Sequence, residues 1–80
     1  MTVWVVKYVA MARGVFIVRL FKERAAAAAF FEDMTKRFRR TLREVDGSSG
    51  NVIVDDPGRF HWHGHFSGDI KVSLDEEEVR

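Results

Sequence analysis

Glu23-Arg24-Ala25-Ala26-Ala27-Ala28-Ala29-Phe30-Phe31-Glu32-Asp33-Met34-Thr35-Lys36-Arg37-Phe38-Arg39-Arg40-Thr41-Leu42-Arg43-Glu44-Val45 decides the fold, because it alone reads as helix and both its flanks read as strand. Ala25 to Ala29 is the strongest helix-forming run in the chain. At about 100° per residue, Ala27, Phe30, Phe31, Met34, Phe38, Thr41, Leu42 and Val45 gather on one side. Glu32, Lys36, Arg39, Arg40 and Arg43 gather on the other. Acids near the start and bases near the end suit the helix dipole. Glu32 with Lys36, and Asp33 with Arg37, are spaced i, i+4 with the acid first. Asp46-Gly47-Ser48-Ser49-Gly50 stops the helix.

Upstream, residues 2–10 (Thr-Val-Trp-Val-Val-Lys-Tyr-Val-Ala) and 15–21 (Val-Phe-Ile-Val-Arg-Leu-Phe) are β-branched and aromatic, and read as a hairpin turning at Met11-Ala12-Arg13-Gly14. Downstream, three short strands are expected at 51–55, 59–66 and 70–74. Asp56-Pro57-Gly58 and Ser67-Gly68-Asp69 make the turns between them. The order is β-β-α-β-β-β. That is an α+β fold, a single antiparallel sheet of about five strands with one long amphipathic helix on one face, in one domain over 1–80.

One helix covers one sheet face, so alternation sorts the side chains. The inward sets are expected to be Trp4, Val6 and Tyr8; Phe16, Val18 and Leu20; Phe60, Trp62 and Phe66; and Ile70, Val72 and Leu74. The open face would then show Val3, Val5, Val9, Val15 and Ile17 beside Lys7, Arg19, Lys71 and the histidines His61, His63 and His65. So many β-branched side chains on a wet face call for a protein partner or a second copy, a homodimer through the open face, unless the first strand faces the other way.

Composition narrows the function classes. With 46% hydrophobic residues and seven Phe, the chain can fill a core, although one this short buries only ~60% of its unfolded surface. There is no Cys, which removes disulfides, thiolate-bound zinc and thiol nucleophiles. No apolar run approaches the ~20 residues of a membrane span. Met1-Thr2-Val3-Trp4 lacks the features of a secretory signal, so a cytoplasmic protein is expected. A net charge of +1 gives no global pull toward nucleic acid. The charges are nonetheless sorted. Lys36 to Arg43 is basic without an acid, and Asp75-Glu76-Glu77-Glu78 is an acidic tail that would fray, fold over the basic helix or blunt a sheet edge.

The segment His61-Trp62-His63-Gly64-His65 places histidines at i, i+2 spacing, as strand metal sites do. His61 and His65 would lie about 13 Å apart at ~3.3 Å per residue, so one ion takes two neighbours and needs another ligand, with Asp69 or Asp55 as the options. The plain reading is the polar face of a half-buried strand, and no metal is expected. Ser48, Ser49, Ser67 and Ser73 lack a nucleophile-elbow context, and Gly47-Ser48-Ser49-Gly50 lacks the Lys and helix of a phosphate loop. No catalytic residue and no cofactor are assigned.

The basic helix face offers Lys36, Arg39, Arg40 and Arg43 for a phosphate backbone or an acidic protein surface; otherwise it is an ordinary solvated face. Lys7, Arg19 and Lys71 are the next contacts expected. As an architecture, the whole chain resembles the small phage-encoded inhibitors of bacterial defence, the anti-CRISPR proteins among them. The resemblance implies a sheet-plus-helix scaffold that plugs a functional site on a bacterial effector complex in the host cytoplasm, and it transfers no individual residue. The expected function is therefore that of a non-enzymatic protein-binding protein that blocks a CRISPR-type effector sterically. The alternative is a nucleic-acid-binding accessory protein using the basic helix face.

Overall fold

A computed structural model describes residues 1–79 and bears out the expected architecture. Strands β1 (Thr2–Ala10), β2 (Val15–Phe21), β3 (Asn51–Asp56), β4 (Arg59–Gly64) and β5 (Gly68–Glu78) form one antiparallel sheet in the order β2-β1-β5-β4-β3. Helix α1 (Arg24–Asp46) runs from one edge strand to the other across one face of that sheet. At 1.5 Å per residue its 23 residues span about 35 Å. The 11 residues of β5 span about 36 Å at ~3.3 Å each, so helix and central strand match in length.

The core is the layer between α1 and the sheet. Val6, Ala10, Phe60, Trp62, Ile70 and Val72 from the strands meet Ala27, Phe31 and Leu42 from the helix, flanked by Trp4, Tyr8, Phe21, Phe30 and Phe38. Tyr8 stacks on Phe38 with ring centroids 4.7 Å apart, which fixes the middle of the helix over β1. The inward line of α1 is rotated slightly from the expected stripe. Thr35 and Asp46 are buried on it, whereas Thr41 and Val45 are exposed. Thr35 satisfies its hydroxyl on the Glu32 carbonyl one turn back, at 3.1 Å.

The helix ends on a polar lock. Asp46 is only 4% exposed. Its Oδ2 accepts the Trp62 indole N–H at 2.7 Å, and its Oδ1 accepts the backbone N–H groups of Phe66 and Ser67, each at 2.9 Å. Burial alone would push this carboxyl up. The hydrogen bonds from Trp62, Ser67 and Phe66 outweigh burial and hold it below the ordinary carboxylate value. The lock ties the end of α1 to the turn between β4 and β5. Gly64 is buried beside it because a Cβ there would overlap the Asp46 carboxylate. The Pro57-Gly58 turn between β3 and β4 has Gly58 at φ 83°, as a type II turn requires.

Three details differ from the sequence expectation. In β2 the faces are reversed: Val15, Ile17, Arg19 and Phe21 pair with the inward residues of β1, and Phe16, Val18 and Leu20 lie on the open face. Cross-strand partners share a face, and the four-residue turn 11–14 pairs Ala10 with Val15, so inward even numbers in β1 oppose inward odd numbers in β2. β4 ends at Gly64, so Phe66 and His65 belong to an exposed turn and sit on neither strand face. The acidic segment is no tail. Asp75 to Glu78 completes β5 and pairs with Thr2 to Val5, because β1 matches the central strand from Ile70 to Glu78.

Candidate interaction surface

The sheet face turned away from α1 divides into two halves. Over β2 and β1 it is apolar except for Lys7, which stands opposite Val18. Phe16 is 63% exposed, Val18 43% and Leu20 67%, in one row along the edge strand. Phe16 stands opposite Val9, and Leu20 opposite Val5. Val5 is 2% exposed between its cross-strand neighbours Leu20 and Asp75. Met11 is exposed in the β1–β2 turn. Scattered apolar residues are ordinary on a surface, whereas here three stand in one row with two large side chains more than 60% exposed.

Over β5 and β4 the same face is polar and internally paired. Lys7 Nζ lies 3.6 Å from Glu77, and Arg59 bonds Asp75 at 2.7 Å. The Arg59 guanidinium holds the Asp75 carboxyl below its ordinary range. Asp69 Oδ1 sits 2.8 Å from His61 Nε2 and 3.1 Å from His63 Nδ1, and those two bonds lower its pKa. His61 and His63 therefore share one face as the alternation predicts, with Asp69 beside them. His65 instead packs edge-on against Phe66, 4.9 Å between centroids, in the turn. Among the described residues no three His, Cys, Asp or Glu side chains are arranged to hold a metal ion.

The predicted basic residues are not one patch. Lys36, Arg40 and Arg43 are exposed on α1, and none has an ion-pair partner among the described residues. Arg39 departs from them. It ion-pairs with Asp55 on β3, and its guanidinium carbon lies 5.6 Å from the centroid of the Phe60 ring. Arg39 therefore staples helix to sheet, and the solvated stripe shrinks to three cations. Of the second group, Lys7 and Lys71 lie on the open face, Lys7 already paired. Arg19 lies on the helix side of β2, exposed at the edge. Its placement on the open face is corrected by the same reversal that exposes Phe16, Val18 and Leu20. Those three were missed because β2 is apolar at both parities; the length of the 11–14 turn was the signal that resolves them.

A groove of about 700 Å³ lies between the first half of α1 and the Pro57-Gly58 turn, floored by Trp4, Phe31 and Leu74. Its rim balances Arg24, Lys36 and Arg39 against Glu32, Asp55 and Asp56, so it favours no ligand charge. No helix of the described residues is long and apolar enough to cross a membrane. The chain matches no family model, no curated protein and no solved structure.

Proposed function

We propose that this chain is a non-enzymatic protein-binding protein whose working surface is the apolar half of the open sheet face. The observation that carries the proposal is the exposed row Phe16, Val18 and Leu20, with Val5 and Val9 opposite Leu20 and Phe16 on β1. Burying such a row against a partner removes apolar surface from water at about 25 cal/mol per Å², the dominant favourable term in most associations. The paired charges over β5 and β4 supply the polar rim that surrounds an apolar interface centre. In keeping with the resemblance to anti-CRISPR-type inhibitors, the action proposed is steric: the face covers a functional site on a bacterial effector complex in the cytoplasm.

The test is capture of partners from host lysate by wild type and by a Phe16→Ser, Leu20→Ser double variant. A stoichiometric protein that survives nuclease treatment and is lost with the variant supports the reading. Capture unaffected by the variant overturns it.

A second reading rests on Lys36, Arg40 and Arg43, which project from α1 without acidic partners among the described residues. As a phosphate-binding face they would give a steep linear fall of log affinity with log salt. An apolar interface persists in salt.

A further inference from the structure

The two edges of the sheet are not equally guarded. β3 is short, carries a bulge between Val52 and Val54, bears Asp55 and Asp56, and runs straight into Pro57. These are the devices by which edge strands refuse further pairing. β2 lacks the bulge, the acids and the proline, and its single charge is Arg19. It is seven residues long, pairs with β1 in unbroken register from Val15 to Phe21, and is followed by no proline. Its outer row of backbone N–H and C=O groups has no neighbouring strand among the described residues.

The charge along this edge is one-sided. Residues 13–22 contain Arg13, Arg19 and Lys22 and no acid. All three are exposed, and none ion-pairs among the described residues. A strand added beside β2 would meet two different rows. On the open face it would oppose Phe16, Val18 and Leu20; on the helix side it would oppose the exposed Ile17 and Arg19, flanked by the half-buried Val15 and Phe21.

We propose that β2 is a strand-addition site, and that its occupant is an extended segment of a partner protein in which apolar residues alternate with Asp or Glu. Apolar side chains of that segment extend the exposed row, acids on its other face meet Arg19, and the main chains complete a sixth strand. A second copy pairing through its own β2 brings three cations against three, and a second copy's β3 offers a bulged edge that does not match an unbroken one. Charge therefore selects an acidic foreign strand. This inference rests on the protein-binding reading above and adds the mode of recognition.

The experiment is selection of a random decapeptide display library on the immobilised full chain, in parallel with an Arg19→Glu variant. Arg19 is exposed and unpaired, so the variant keeps its fold, and a matching thermal midpoint verifies this. The expected result is enrichment of alternating apolar and acidic peptides on wild type, and of alternating apolar and basic peptides on the variant. The synthesised winner should bind the variant roughly 5- to 30-fold more weakly, the span from losing one cross-strand attraction to replacing it with repulsion. Amide exchange should slow in β2 on binding. Enrichment of nothing, of patterns without alternation, or of the same acidic peptides by both proteins overturns the inference. So does sedimentation of the free protein as a dimer with β2 amides already protected. If native partner capture depends on Phe16 and Leu20 yet no alternating peptide emerges, only the strand-addition mode falls. If alternating peptides emerge but capture ignores Phe16 and Leu20, only the functional reading falls.

Discussion

Replacing Asp46 by Asn removes one negative charge and almost no volume. Both carboxylate oxygens of Asp46 are acceptors: Oδ2 takes the Trp62 indole, and Oδ1 takes two backbone N–H groups. A carboxamide has one acceptor atom and one donor atom. In either flip at least one buried N–H then faces an NH₂ group. An unsatisfied buried donor costs ~1–3 kcal/mol, and the remaining bonds lose their ionic strengthening, so about 2–4 kcal/mol is expected. A domain of 80 residues at ~0.05–0.15 kcal/mol per residue holds only about 4–12 kcal/mol in total. At ~4–8 °C per kcal/mol for this size, the thermal midpoint should fall by roughly 10–30 °C. Thermal unfolding followed by far-ultraviolet dichroism and by Trp fluorescence measures it. Asp46→Ala should be worse, since three donors lose their acceptor. A midpoint for Asp46→Asn within about 2 °C of wild type would refute the claim that this carboxylate locks helix to turn.

The same carboxylate makes stability depend on acid. Asp46 and Asp75 have folded pKa values below their ordinary 3.8, so their stabilisation is complete above that value and is lost as pH falls through the folded values. Acid titration of wild type should show stability falling below about pH 4–5, and Asp46→Asn should show a shallower fall. Gly64→Ala, which drives a methyl into the Asp46 carboxylate, should be as damaging as Asp46→Asn, and the two together should be much less than additive. Arg39→Ala should cost at most about 1 kcal/mol, because its pair with Asp55 is half exposed, measured by the shift in urea midpoint. Phe16→Ser with Leu20→Ser should leave the midpoint nearly unchanged, since both side chains are already in water.

The helix was legible because α1 carries two strong, independent signals, the alanine run and the period-3.6 stripe, and its observed bounds lie within one residue of the expected ones. β1 and β2 were legible in extent for a similar reason, with β-branched and aromatic residues bounded by turn chemistry. The facing of β2 was not legible from periodicity. Its residues are apolar at both parities, and the choice is made by the length of the preceding turn together with the facing of β1. β5 was expected to end at Leu74, because Asp75 to Glu78 has low strand propensity and high charge. Pairing with β1 overrides that preference, and Lys7 and Arg59 offset the charge. Asp46 reads in sequence as an ordinary helix stop. Its role comes from Trp62, Phe66 and Ser67, 16 to 21 residues away, and no local pattern announces it. The surface followed suit: the charged helix stripe is visible in sequence, whereas the apolar row on β2 appears only once the register is known.

The most direct measurement sets the two surfaces against each other. Phe16→Ser with Leu20→Ser removes the apolar row; Lys36→Glu, Arg40→Glu and Arg43→Glu together reverse the helix face. Both sets change exposed residues, so both proteins should fold, and each is used beside wild type to capture partners from nuclease-treated host lysate. The sheet face as working surface predicts that the first protein loses the captured partner and the second retains it. Retention by the first and loss by the second would contradict that claim and move the function to the helix.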